Sequence, residues 1–411
     1  MRGAFGMGTC LVPWTSELFD PRANQCQPGV IDKVGRERRH LTGTVAVADS
    51  HALNDAAPGR VSGIHPQGAI PRVAQGRHAH VGPIGRVRAK DTPGFIVNHA
   101  GRGYVTEAFR LLGESVAEFH QIDRILKDAA GFRMGPFELM DLTGLDVTHP
   151  VIESIYHQYY QEPRYRPSPL AQQRVTAGVL GRKTGRGFYR YQGQQAEIFP
   201  VEPLPSDQPT KVWVSRQCAG TRETLTKLVA KLGGQLDNKA RPAGESLCLI
   251  APFGLDATSA TLAEGLDPTR TLAIDSLLGF EKHRTLMMTP VTSEESRRQA
   301  LGLFGSDGVP VTVLRDSTGF VTQRVLATIV NIACDMAQQQ VATPQDIDRA
   351  VTLGLGYPKG PLALGDALGS NSILQILQNI FQISGDPRYR PSPWLRRRAQ
   401  LQISLLTTEG G

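Results

Sequence analysis

The sequence predicts a mixed α/β and all-α chain, with two helical domains separated by a small α/β domain and preceded by a largely irregular N-terminal segment. Three observations predict it. A long block of residues returns at a nearly constant offset of 225. Apolar strand-like runs alternate with amphipathic helices only between the two blocks. Ahead of the first block, no aromatic residue stands between Asp20 and Gly94.

The chain has 411 residues, 40% of them apolar and 20% charged. At roughly 150 residues per domain this is room for two or three domains. No run approaches the ~18 apolar residues of a membrane span. The opening MRGAFGMGTCLVPW, followed by Glu17 and Asp20, reads poorly as a signal peptide, so a soluble, cytoplasmic protein is expected. Cys10, Cys26, Cys218, Cys248 and Cys334 are scattered, with no CxxC or Cys/His cluster. They read as reduced thiols, Cys248 in the core, and no metal site is expected.

The net charge of +7 is concentrated in residues 1–90, which hold 12 Lys/Arg against 6 Asp/Glu. Arg36-Glu37-Arg38-Arg39-His40 is the densest part. A basic arm for nucleic acid would need aromatic platforms for stacking, and the segment has none past Asp20, so no nucleic-acid partner is expected. With 19 Gly plus Pro in 90 residues and one strand-like run, Thr44–Ala48, it cannot bury enough surface to offset its chain entropy. Residues 21–88 are not expected to form an independent domain.

From Asp91 the chain repeats itself. Asp91-Thr-Pro-Gly-Phe95 returns as Asp316-Ser-Thr-Gly-Phe320, Ile122-Asp123 as Ile347-Asp348, Gly135-Pro136 as Gly360-Pro361 and Asp141 as Asp366. Pro163–Pro169 (PRYRPSP) returns unchanged at Pro387–Pro393. The period is too long for a solenoid and marks a duplicated domain.

Each copy reads as helix. In the first, Thr92 is placed as N-cap with Pro93 at the first helical position. Phe95, Val97, Val105, Ala108, Phe109, Leu111 and Leu112 form its buried stripe, weakened by Gly101 and Gly103. Helices follow over 117–130, from Pro136, and over 150–160. The second copy repeats the plan with 320–340, a helix capped by Thr343-Pro344 and ending at Leu353, and one starting at Gly360-Pro361. Between the copies, Lys211–Ser215, Ser246–Ala251, Thr271–Asp275 and Val311–Leu314 read as buried parallel strands, with helices at 220–232 and 293–303.

The segments Lys90-Asp-Thr-Pro-Gly-Phe-Ile-Val-Asn98, Gly131-Phe-Arg-Met-Gly-Pro-Phe-Glu-Leu-Met-Asp141, Gly181-Arg-Lys-Thr-Gly-Arg-Gly-Phe-Tyr189 and Gly356-Tyr-Pro-Lys-Gly-Pro-Leu-Ala-Leu-Gly-Asp366 carry a resemblance. Together they resemble the 3-hydroxyacyl-CoA dehydrogenase family, most closely its long bacterial members with two such units per chain. The resemblance implies four parts. Residues 1–88 would be a degenerate, disordered remnant of an NAD-binding domain. Residues 89–195 and 313–408 would be two helical C-terminal-type domains, separated by a degenerate Rossmann-like α/β domain at 196–312.

The implied activity is oxidation of a 3-hydroxyacyl-CoA to a 3-oxoacyl-CoA with NAD as cofactor, in fatty-acid or aromatic-acid degradation. The alternative is a non-catalytic remnant that keeps the helical core without binding NAD. Such chemistry needs a base for the hydroxyl proton and donors for the developing carbonyl. The family's active-site Asn matches Asn98, the one catalytic residue assigned; the second copy has Gln323 there and is expected to have lost that role.

The cofactor motif is damaged. Gly3-Ala-Phe-Gly-Met-Gly8 has Phe5 where the central Gly of a dinucleotide fingerprint belongs and only two residues before it, and Asp20 lies too soon after it for the ribose acid. None of His40, His51, His65, His78 or His80 has the family's catalytic-His context, and His283 sits in a different one, so no His is assigned. Gly178–Thr184 is not a phosphate loop, and Lys183 reads as a surface charge. An acyl-CoA substrate, no membrane, and the two helical domains paired within one chain as subunits pair in shorter relatives are the expected partners, a homo-oligomer remaining open.

Overall fold

The computed structural model describes residues 42–46, 86–200, 203–217 and 219–409, with backbone alone for 42–46, 86 and 219. The fold is mixed α/β, with a largely parallel sheet and many helices. β1 (Thr42–Ala46) pairs antiparallel with β2 (Arg86–Lys90), Val45 opposite Val87.

The first helical stretch runs α1 (Val97–Ala100), α2 (Arg102–Gly113), α3 (Phe119–Asp128), α4 (Pro136–Thr143), α5 (Leu145–Gln158) and α6 (Pro169–Thr176). It closes on a two-stranded hairpin, β3 (Tyr191–Gln192) and β4 (Gln195–Ala196). Helix does not begin at Pro93. Phe95 N donates to the Thr92 carbonyl at 2.9 Å, and Gly94 and Phe95 take φ of +81° and +48°, so Thr92–Phe95 is a tight turn. Phe95 is therefore exposed and Val97 and Leu112 half-buried, whereas Val105, Ala108, Phe109 and Leu111 form the expected core.

The middle sheet consists of β5 (Val212–Val214), β6 (Leu247–Ile250), β7 (Thr271–Ile274), β8 (Arg284–Met288) and β9 (Val311–Leu314), in that spatial order. α7 (Ala219–Lys231), α8 (Ala257–Ala263) and α9 (Glu294–Gly305) connect strands, α8 and α9 capped by Asp256 and Ser293 side chains. The sheet is not all parallel as expected. β8, which sequence reasoning missed, lies antiparallel to β7 and parallel to β9, so Val311–Leu314 runs against the first three strands. Arg284 hid this strand. Its charge argues against burial, yet it is fully buried because Asp307 takes its Nη1 and Nη2 at 2.7 and 2.8 Å.

The second stretch runs α10 (Val321–Gln338), α11 (Pro344–Leu355), α12 (Pro361–Leu368), α13 (Ser370–Ser384) and α14 (Pro393–Leu401). α10, the longest helix of the described residues, is buried on all sides and packs against α2, α12, α13 and α14.

The repeated aspartates act as helix and turn anchors. Asp123 accepts from Phe137 N and Glu138 N at the start of α4, and Asp348 accepts from Leu362 N and Ala363 N at the start of α12. Asp141 accepts from Phe188 N, Tyr189 N and the Tyr191 hydroxyl. Gly187 follows from this, since a Cβ there would collide with the Asp141 carboxylate.

The duplicated PRYRPSP segments reach across. Arg388 and Tyr389 bond Glu107 on α2, while Arg164 pairs with Asp335 on α10.

Candidate active site

Asn98 is the second residue of α1, delivered by the Thr92–Phe95 turn. Gly94 is required there, because a Cβ would press on the His99 backbone nitrogen at 2.9 Å. The Asn98 side chain is exposed and has no hydrogen-bond partner among the described residues, so its carboxamide is free for a ligand. Its carbonyl accepts from Arg102 Nε at 2.7 Å.

The next residue points the other way. His99 is fully buried, its Nε2 hydrogen-bonded to the Tyr165 hydroxyl at 2.7 Å and its Nδ1 to the Tyr159 hydroxyl at 3.2 Å. Burial, aided by the Arg102 charge, pushes its pKa down to about 3, so it is a neutral core histidine.

Arg102 lies one helical turn beyond Asn98 and is only 8% exposed. Its Nη1 has no partner, and neither has the hydroxyl of buried Tyr357 from the second helical stretch. Tyr357 stands edge-on to Phe132 at 5.0 Å, and Phe132 stacks on Tyr104 at 4.5 Å. Leu355, at the end of α11, packs against Gly101. Nothing in the sequence marks Arg102 or Tyr357, because an isolated Arg in a helix reads as a surface charge.

At the corresponding position of the second stretch, Gln323 is fully buried and occupied. Its Nε2 donates to the Asp275 carboxylate and the Pro252 carbonyl, and its Oε1 accepts from Gly254 N. His283 is also buried, with Nδ1 3.1 Å from an Asp128 oxygen and Nε2 2.9 Å from Thr312 Oγ1, and it stands apart from Asn98 as a bridge between α3 and the sheet. Lys183 is an exposed partner of Asp146. Gly3–Gly8, Asp20 and His40, His51, His65, His78 and His80 lie outside the described residues.

The middle sheet does not suit a dinucleotide. Its five strands follow chain order, so no reversal opens a crevice between neighbouring strands. At the β5–α7 turn, the Glu264 carboxylate holds the Ser215 hydroxyl at 2.7 and 2.8 Å, which puts negative charge where a pyrophosphate would need donors.

One helical stretch thus presents a free carboxamide beside a glycine-set turn, and the other, beyond the mixed α/β sheet, carries a closed one at the corresponding position. Residues 94–191 and 319–407 both match the family model "3-hydroxyacyl-CoA dehydrogenase, C-terminal domain". Through these two stretches the chain is similar to the C-terminal domain of the 3-hydroxyacyl-CoA dehydrogenase family.

Among its relatives, 3-hydroxyadipyl-CoA dehydrogenase of Escherichia coli K12 is 36% identical over 316 residues, 77% of this chain and 61% of the relative. The mitochondrial hydroxyacyl-coenzyme A dehydrogenase of Sus scrofa is 45% identical over 105 residues, 26% of this chain and 33% of the relative. A crystal structure of 3-hydroxybutyryl-CoA dehydrogenase from E. coli K12 superposes with a TM-score of 0.64 at 35% identity, covering 77% of this chain and 61% of that one. The chain thus spans about three-fifths of the length of the first relative it matches.

Proposed function

We propose that this protein is a cytoplasmic oxidoreductase of the 3-hydroxyacyl-CoA dehydrogenase type, converting a 3-hydroxyacyl-CoA to the 3-oxoacyl-CoA with NAD in fatty-acid or aromatic-acid degradation. The observation that carries it is the likeness, at 36% identity over 77% of this chain, to a protein named for that reaction on an acyl-CoA. In this reading the exposed Asn98 carboxamide hydrogen-bonds the substrate oxygen at the reacting carbon.

The two helical stretches are a duplicated domain paired as subunits are, with the Glu107–Arg324–Arg388 cluster at their joint. Gln323, buried and saturated, leaves the second copy a structural role. The middle sheet lacks a strand-order reversal and carries Glu264 against its β5–α7 turn, and the reading assigns the nicotinamide site to residues 1–88, most of which lie outside those described. The relatives' names favour this enzymatic reading over a non-catalytic remnant.

The test is an optical NADH assay of the full chain with acetoacetyl-CoA, beside a direct NADH titration. NADH consumption that requires the acyl-CoA is the expected result. Absence of both NADH binding and turnover would refute the proposal.

A further inference from the structure

Six arginines are buried among the described residues. Arg164, Arg284, Arg324, Arg388 and Arg398 each have a carboxylate within ion-pair distance: Asp335, Asp307, Glu107, Glu107 and Glu409 respectively. Arg102 alone has none. A guanidinium taken out of water without a counter-charge is costly, and one that persists beside a ligand-facing residue is a feature to be completed by a ligand.

The donors are directional. Arg102 Nε is spent on the Asn98 carbonyl, which fixes the guanidinium against the turn of helix that carries Asn98. Nη1 is left over, and so is the Tyr357 hydroxyl. Burial drags the Arg102 pKa down to about 10, only partly offset by the Tyr357 phenol, so each group acts on the other while neither is satisfied.

We propose that Arg102, assisted by Tyr357, binds the distal carboxylate of a dicarboxylyl-CoA whose 3-oxygen is held by Asn98. Arg102 follows Asn98 by four residues across the Gly101 junction of α1 and α2 and bonds its carbonyl at 2.7 Å, which suits an acyl chain with its hydroxyl at Asn98 and a carboxylate a few methylenes further on. A carboxylate supplies the acceptors that Nη1 and the phenol lack, through charge-assisted hydrogen bonds. The named substrate of the E. coli relative, a 3-hydroxyadipyl-CoA, has such a carboxylate. Through Tyr357 the second helical stretch would contribute to this carboxylate site although its own Asn position is closed. The proposal rests on Asn98 facing the acyl-CoA, and it adds the selection of a dicarboxylic acyl group.

The experiment is calorimetric titration of the full chain with adipyl-CoA and hexanoyl-CoA, which share the CoA moiety and differ in the terminal carboxylate. The wild type is expected to bind adipyl-CoA at least roughly tenfold more tightly, the scale of one charge-assisted hydrogen bond. Arg102→Met should erase that preference while leaving hexanoyl-CoA affinity unchanged. Tyr357→Phe, which keeps the ring packing, should reduce the preference in part and carries the test if R102M does not fold.

Equal binding of the two ligands by the wild type, or a preference intact in Tyr357→Phe and R102M, overturns the carboxylate assignment alone. A loss of both affinities together in R102M would place the guanidinium on the CoA phosphates and also overturns it. Binding of neither ligand by the wild type overturns the functional reading itself.

Discussion

Gln323 Nε2 donates to Asp275 Oδ1 at 3.0 Å in a fully buried site, while Asn98, 225 positions earlier in the matching turn, stands exposed with a free carboxamide. Thr322 also donates its hydroxyl to Asp275. The two positions therefore differ in availability as well as in residue type. At the second, the helix end is locked onto the end of β7; at the first, where Phe95 takes a positive φ that Phe320 does not, the carboxamide is open.

Gln323→Ala is expected to destabilise the chain by about 1–3 kcal/mol, because it removes one of the buried donors to the Asp275 carboxylate and leaves Gly254 N without its partner. The urea midpoint reads this directly. A midpoint within error of the wild type would show that the carboxamide holds nothing together.

Glu107 receives Arg324, Arg388 and Tyr389 at 2.8, 2.8 and 2.7 Å with no exposure to solvent. Glu107→Gln leaves two guanidinium groups without their buried counter-charge, and a loss of about 3–5 kcal/mol is expected in chemical denaturation. Glu114, on the other side of Arg324, is half-exposed and should cost far less when replaced by Gln.

Acid sensitivity follows from two groups of opposite type. Burial alone would raise the Glu107 carboxyl, but the Arg324 and Arg388 charges and the Tyr389 and Arg388 hydrogen bonds outweigh it and hold the pKa at about 2. Its contribution is complete above the ordinary value of 4.5 and is lost as pH falls from there through 2. His99 stays neutral in the fold down to about 3, whereas the unfolded chain takes up a proton below 6.5. Its contribution is therefore complete above 6.5 and declines as pH falls towards 3. Asp123, whose carboxyl burial raises to about 7, works in the opposite sense over the upper range, so the melting temperatures of the variants carry the test. His99→Gln should lose less stability than the wild type between pH 6.5 and 4.5, and Glu107→Gln less below 4.5. A His99→Gln curve parallel to the wild type's from pH 6.5 to 4.5 would rule out the His99 effect.

Gly187→Ala drives a Cβ into the Asp141 carboxylate that anchors Phe188 N and Tyr189 N. About 1–3 kcal/mol of overpacking strain is expected, with a lowered melting temperature. A neutral substitution would show that Gly187 serves something other than this close approach.

Much of the helical architecture was legible because its signals are local. Thr343 and Ser293 cap α11 and α9 as their sequence positions indicate, and Pro136 and Pro361 each open a helix. The turn at Thr92–Phe95 was misread as a helix start, since Thr-Pro also fits an N-cap and the positive φ of Phe95 has no marker in its side chain. β8 escaped because Arg284 is neutralised by Asp307, a partner 23 residues away that no periodicity shows. The same holds for the site. Asn98 was found through the motif around it, but Arg102 and Tyr357 come together only through the packing of the two helical stretches, across a separation too long for any local pattern. Asp123, Asp141 and Asp348, prominent in the repeat, turn out to bind backbone amides.

The most direct measurement compares acetoacetyl-CoA-dependent NADH oxidation by Asn98→Ala and Gln323→Ala with that of the intact chain. Loss of one oxygen-directed donor should lower kcat of Asn98→Ala by about a hundredfold at an unchanged melting temperature, while Gln323→Ala keeps its turnover despite weaker folding. Full activity in Asn98→Ala, or activity that disappears with Gln323 instead, would contradict an open first site and a closed second one.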